Sequence, residues 1–173
     1  IAGFETPDAG RVIFQGRDVT NVPAHERGIG FVFQNFALFP HLTVMKNVAF
    51  GLTHGKSGLS AADINRRSRE MIDMVGLSGM EDRGVDQISG GQRQRVALAR
   101  TLTLRPRLVL LDEPLGALDA NLRGRMRNEL RAIRERLGVT FLHVTGSESE
   151  ALAMGDRVVV LDRGRLIQTG TPT

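Results

Sequence analysis

The tightest constraint on the fold is the run Leu108-Val109-Leu110-Leu111-Asp112-Glu113, four apolar residues followed at once by two carboxylates. An apolar run of this length, with turn signals near it, reads as a buried strand. In open α/β sheets, ligands sit at the carboxyl ends of the strands. One carboxylate there can hold a hydrated Mg²⁺, and its neighbour can act as general base toward an attacking water. Alone, the run is equally an ordinary strand entering a polar loop, because strands often end in acids.

Patterning on either side predicts which elements surround it. Arg11–Gln15 alternates in character after the Pro7-Asp8-Ala9-Gly10 turn and reads as a strand, with Gly16 opening the next turn. Ile29–Phe33, between Gly28 and Gln34, reads as a second strand. Thr43–Leu52 reads as a helix with a Thr cap. Ser60–Val75 has helical spacing, with Ile64, Met71, Ile72 and Val75 on one side, and Gly76 ends it. Ser89–Leu104 reads as a helix stopped ahead of Pro106. Asn121–Leu137 is a long arginine-rich helix ended by Gly138, and Val139–Val144 is a β-branched, apolar strand. Ser147–Met154 is a short helix. Arg157–Leu161 and Arg165–Gln168 flank the hairpin signal Asp162-Arg163-Gly164. Strands alternate with helices at both ends, while Thr43 to Leu104 is almost purely helical. That pattern predicts an α/β sheet with an inserted helical lobe.

Two further segments carry chemistry. Ser89-Gly90-Gly91-Gln92 opens a helix, and two glycines with a serine there let backbone N–H groups approach an anion, with the helix dipole adding attraction. The plainer reading is a Ser N-cap after a loop. Gln34 follows an apolar strand and can ligate Mg²⁺ or orient water through its amide oxygen. After it, Phe36, Leu38 and Phe39 offer a surface for a partner helix, or simply pack in the core.

Composition narrows the chemistry. There is no Cys, hence no disulfide, thiolate metal site or cysteine nucleophile. Of 23 basic residues only Lys46 and Lys56 are lysine, leaving two candidates for a phosphate-gripping lysine. The net charge of +4 and pI near 10.8 suit nucleic acid or an anionic membrane surface, although solvated helix faces are the plainer and favoured account of the arginines. No apolar run approaches the roughly 20 residues of a membrane span.

In combination these motifs are far more specific. Ser89-Gly90-Gly91-Gln92-Arg93-Gln94-Arg95, then Leu108–Pro114, then Leu118-Asp119, resembles the ATP-binding subunit of ABC transporters over essentially the whole chain. Ser89–Gln92 resembles the signature motif, with Ile88 where Leu is usual. Leu108–Glu113 resembles the Walker B strand, Ala117-Leu118-Asp119 the D-loop, and Gln34 the Q-loop glutamine. Gly3–Asp8 and Ala37–Val44 look most like importer subunits for polyamines, iron, sulfate or sugars.

The resemblance implies an α/β fold, a RecA-like P-loop NTPase core with a mostly parallel sheet and an inserted helical subdomain. Residues 1–173 would form one nucleotide-binding domain, with 1–35 and 106–173 as core and 36–105 as helical subdomain. It implies ATP and Mg²⁺ as cofactors and a second such subunit, most simply in a homodimer. Ser89, Gly90, Gly91 and Gln92 would face the nucleotide held by the partner, and Asp119 would cross the interface. Asp112 and Gln34 would serve the metal, Glu113 would polarise the attacking water, and Gln34 would sense the γ-phosphate. The region Phe36–Asn47 would receive the transmembrane permease subunits, with an extracytoplasmic substrate-binding protein acting indirectly. The subunit would sit peripherally on the cytoplasmic face of the cell membrane.

Two departures from the family pattern carry expectations of their own. The family's phosphate loop is Gly-x-x-x-x-Gly-Lys-Ser/Thr between a strand and a helix. The nearest match, Gly51-Leu52-Thr53-His54-Gly55-Lys56-Ser57, has three residues between its glycines and follows a helical stretch. The expectation is an N-terminally truncated domain, lacking the phosphate loop and the adenine-stacking aromatic, that binds ATP weakly by itself. The second departure is Gly146, which stands where the family carries its switch histidine; His143 lies within the preceding strand. This makes even a longer parent a poor ATPase. Two other readings remain open: a catalytically degenerate half-site lending its signature motif to a competent partner, and a non-transport ABC ATPase acting on nucleic acid. The absence of a long insertion in Ser60–Gln87 argues against the last.

Overall fold

The computed structural model describes residues 1–55, 57–116 and 120–172. Its centre is a three-stranded parallel sheet of β3 (Ile29–Val32), β4 (Leu108–Asp112) and β5 (Thr140–Val144), in the order β3-β4-β5. Two antiparallel hairpins flank it in sequence: β1 (Ile13–Phe14) with β2 (Arg17–Asp18), and β6 (Val158–Asp162) with β7 (Arg165–Gly170). The apolar run that constrained the fold is therefore the middle strand, with Val109, Leu110 and Leu111 buried between its neighbours.

The register fixes the edge where chemistry can occur. Val32 lies opposite Leu111, and Asp112 lies opposite Val144. Because all three strands run the same way, the segments beginning at Phe33, Glu113 and Thr145 leave the sheet at one edge.

Three helices fill the stretch between β3 and β4 and pack on one another: α1 (Val44–His54), α2 (Ala61–Met74) and α3 (Gly90–Leu102). Each starts on a hydroxyl cap, with Thr43, Ser60 and Ser89 accepting from the backbone N–H three residues on. Ser89 and Gln92 form a reciprocal capping box. Just beyond the Val75 cap of α2, Gly76 takes a φ of +70° that lets Leu77 N–H reach back to the Ile72 carbonyl. The buried faces of α1, α2 and α3 meet through Val44, Val48, Ile72, Val96 and Leu98. α3 also packs on β3, where an added Cβ at Gly30 would meet the Thr101 side chain at 2.5 Å; glycine permits that close approach.

α4 (Ala120–Leu137) connects β4 to β5, and α5 (Glu148–Met154) follows β5. The arginines are partly neutralised locally: Arg66 pairs with Asp63 and Glu70, Arg95 with Glu129, and Arg134 with Asp156. Among the described residues no helix is long and apolar enough to cross a membrane.

Two expectations change. The strand read over Arg11–Gln15 is only Ile13–Phe14, and Gln15-Gly16 is the tight turn of a hairpin whose second strand, Arg17–Asp18, has no apolar alternation to reveal it. The helix read to Leu104 ends at Leu102, because Arg105 takes a left-handed φ of +53° and turns the chain toward β4. The hairpin β6–β7 leaves Val159, Leu161, Leu166 and Ile167 exposed.

Candidate functional site

β3 and β4 bring together two residues that are 79 positions apart. Gln34 Nε2 donates to Glu113 Oε2 at 3.1 Å. This bond uses the nitrogen end of the amide, so the oxygen end remains available to a cation. Glu113 stands at the end of β4 in a left-handed conformation, φ +43°, that stops the strand. Its N–H still bonds the Val144 carbonyl at 2.9 Å, and its carbonyl accepts from Gly116 N–H. A non-glycine residue held in that region is strained, and such strain concentrates at functional sites. Among the described residues the Glu113 carboxylate has no ion-pair partner. It therefore keeps the acceptor capacity a general base needs.

Asp112 is the last residue of β4, half-buried beside Glu113. Mg²⁺ takes oxygen ligands, keeps several waters and is usually held by one or two carboxylates together with substrate phosphates. The Asp112 carboxylate and the Gln34 amide oxygen are donors of that kind. Among the described residues no group of three or more His, Asp or Glu side chains forms a closed metal cage. The donor set thus fits an open site completed by phosphate and water, not an all-protein one.

Ser89–Gln92 forms the first turn of α3. Added Cβ atoms at Gly90 and Gly91 would meet nothing within 4 Å, so this face of the turn is open to an incoming group. Among the described residues no hydrogen bond joins this turn directly to Gln34 or Glu113. The link runs one turn further along α3: buried Gln94 donates from Nε2 to the Pro114 carbonyl, immediately after Glu113. Nothing in Gln94 taken alone reveals this, since its partner is a backbone atom distant in sequence.

Asp119, with Ala117 and Leu118, lies outside the described residues. The glycine-lysine segment near Gly51 is not a phosphate loop: Gly51 is inside α1 and Gly55 caps the helix end. Gly146 leaves the C-terminal end of β5, and a Cβ built there meets no atom within 4 Å. It opens onto a cleft of about 580 Å³ shared with Ser147, Glu148 and β6. Phe36 and Leu38 pack against the core, whereas Phe39 lines a second cavity of about 710 Å³ with Phe31, Phe33, Phe50 and Leu104.

His143 packs within β5 beside Phe141. Burial, with a smaller contribution from nearby Arg134 on α4, lowers its pKa to about 4. The folded state therefore resists a proton that the unfolded chain accepts near pH 6.5. The resulting stability is fully present above about pH 6.5 and is lost as pH falls toward 4. Urea unfolding should show a loss of about 1 kcal/mol between pH 6.5 and 5, absent in His143→Phe. An unchanged slope in that variant would assign the pH dependence to other groups.

Comparison with known proteins bears on this arrangement. The family model described as "ABC transporter" matches residues 1–116. The chain belongs to the ABC transporter family. It is 56% identical over 172 residues to the spermidine/putrescine import ATP-binding protein PotA of Acidothermus cellulolyticus, covering 99% of this chain and 44% of that protein. It is 51% identical to the sulfate/thiosulfate import ATP-binding protein CysA 2 of Agrobacterium fabrum, covering 99% of this chain and 50% of the relative. The ABC chain thus spans about half the length of the curated relatives it matches. Among solved structures it superposes on cbiO1 of Clostridium perfringens, part of the ABC transporter complex cbiONQ, with a TM-score of 0.88 and 28% identity, covering 99% of this chain and 69% of that one. It also matches the dimeric, post-hydrolysis ATP-binding cassette MJ0796 bound to ADP and Pi, with a TM-score of 0.83 and 30% identity, covering 100% and 78%. The α/β core of this ABC chain is the P-loop NTPase fold.

Proposed function

We propose that this chain is the ATP-hydrolysing part of an ABC importer subunit, peripheral to the cytoplasmic face of the membrane and driving import when paired with a second copy. The observation that carries the reading is the Gln34–Glu113 hydrogen bond at the shared edge of β3 and β4. It supports the reading because an amide, a carboxylate and the neighbouring Asp112 share the carboxyl edge of the strands, the edge at which α/β sheets bind ligands.

In this reading Glu113 accepts a proton from the attacking water, and the Gln34 amide holds that carboxylate oriented. Asp112 and the Gln34 oxygen would hold Mg²⁺, which when bound would offset charge on the nucleotide phosphates. The open turn Ser89–Gln92 faces the nucleotide carried by the second subunit, with Asp119 at that interface. The phosphate loop of the family is absent from these 173 residues. By themselves they are expected to bind ATP weakly and to turn it over poorly.

The cavity lined by Phe31, Phe33, Phe39, Phe50 and Leu104 is apolar and open, with Arg100 at its wall. It suits an apolar helix presented by a permease subunit, and it lies beside the Phe36–Asn47 segment. The names of the importer relatives support a substrate such as a polyamine or sulfate; an extracytoplasmic binding protein would act indirectly, by delivering it.

The test is ATP turnover in the assembled transporter. Glu113→Gln should lower kcat at least about 100-fold, the usual worth of a positioned general base, while nucleotide binding persists. Retention of more than a tenth of the wild-type rate would remove Glu113 from that role. The 173-residue chain assayed alone should give no turnover above background.

A further inference from the structure

The residue after next from Gln34 begins an unusual stretch of backbone. Phe36 N–H bonds the Phe33 carbonyl at 2.8 Å, so Phe33–Phe36 is a closed turn with Gln34 and Asn35 at its centre. Phe36 and Ala37 then adopt φ of +64° and +45° in succession. Side chains with a Cβ disfavour this region, and two such residues in a row persist only where something external holds them.

Arg100, in the last turn of α3, is what holds them. Its Nη1 donates to the Ala37 carbonyl at 2.7 Å, and its Nη2 to the Phe36 carbonyl at 3.0 Å. The same guanidinium lies over the Phe39 ring, 5.4 Å from its centroid. Among the described residues Arg100 has no carboxylate partner. Its planar fork is spent on two adjacent carbonyls, a geometry that a point-charge lysine does not reproduce.

We propose that Arg100 is a positioning residue for Gln34: by clamping the Phe36 and Ala37 carbonyls it fixes the turn that carries the Gln34 amide to Glu113. Its consequence for turnover rests on the reading of the Gln34–Glu113 pair given above. α3 then reaches the site at two points, through Gln94 to the Pro114 carbonyl near its start and through Arg100 to the Gln34 turn near its finish.

Hydrogen–deuterium exchange of the purified protein tests the clamp. Arg100→Met should speed exchange of residues 35–38 at least tenfold and leave the interior of α3 unchanged. Adding Ala37→Gly, which suits a left-handed φ, should return most of the lost protection. If Arg100→Met does not fold, Arg100→Lys keeps the charge and stem and should show a smaller rise, again reversed by Ala37→Gly. Unchanged exchange at 35–38, or loosening spread along α3 that glycine fails to reverse, overturns the clamp. In the assembled transporter Arg100→Lys should lower kcat about tenfold with KM for ATP unchanged, and Ala37→Gly should rescue it. Faster exchange at 35–38 with unaltered kcat would overturn the role given to Gln34 while the clamp stands.

Discussion

Replacing Gly146 with histidine should raise ATP turnover about 100-fold in a subunit supplied with a phosphate loop. General acid–base or water-orienting groups contribute about 10²–10⁴-fold, and Gly146 has no side chain to supply one. The structure offers room for it. A Cβ at Gly146 meets nothing within 4 Å, and the residue does not use a left-handed φ, so a side chain can enter without backbone strain. The surroundings are already built: Thr145 Oγ1 donates to Glu150 and accepts from Ser147 N–H, and Ser147 caps α5. Position 146 leaves β5 one strand over from Glu113, whose N–H bonds the Val144 carbonyl. Gly146→Ala separates the two explanations for any gain. If stiffening the backbone is enough, alanine helps as much as histidine; if the imidazole matters, alanine does nothing. The gain from histidine should vanish when combined with Glu113→Gln. A rate unchanged by Gly146→His would mean that the site orients its water without that position.

How much of this is legible in the sequence depends on what kind of signal each residue gives. Thr43, Ser60, Ser89 and Ser147 announce their helices because capping is local, a hydroxyl serving an N–H three residues away. The strand Leu108–Asp112 is legible because burial on both faces demands an unbroken apolar run. The strand Arg17–Asp18 is not, because two charged, exposed residues have no period to read. Gln34 and Glu113 are legible as types in motifs, but their hydrogen bond follows from the parallel register that sets Val32 opposite Leu111. Arg100, Gln94 and Asn47 give the least warning. Each acts on backbone groups of a distant or irregular segment, and a carbonyl leaves no mark in a sequence.

Asn47→Ala should therefore destabilise the protein by about 3 kcal/mol, although Asn47 sits in an otherwise ordinary helix face. Its side chain is fully buried on α1. Oδ1 accepts from Phe39 N–H at 3.0 Å, and Nδ2 donates to the carbonyls of Phe39, Leu42 and Thr43 at 3.1, 3.2 and 3.1 Å. One amide thus satisfies the irregular 39–43 segment from the inside. Truncation leaves the Phe39 N–H and the Leu42 carbonyl without partners, at about 1–3 kcal/mol for each group that water cannot reach, while the Phe39 and Thr43 carbonyls keep the bonds from Leu42 N–H and Asn47 N–H. Relaxation of the loop offsets part of this. Asn47→Leu, close in volume, should be no better than alanine, because the loss is in hydrogen bonding and not in packing. Asn47→Asp keeps the acceptor for Phe39 N–H but turns a carboxylate toward three carbonyls. It should be the worst of the three at pH 7 and recover as the carboxyl protonates. Denaturant unfolding of the four proteins decides the matter, and a cost below about 1 kcal/mol for Asn47→Ala would show that the 39–43 turn holds itself. Phe39 is both an anchor point of this turn and the ring beneath Arg100. Loss of Asn47 should therefore also loosen residues 35–38 in hydrogen exchange, tying the stability of the helical segment to the placement of Gln34.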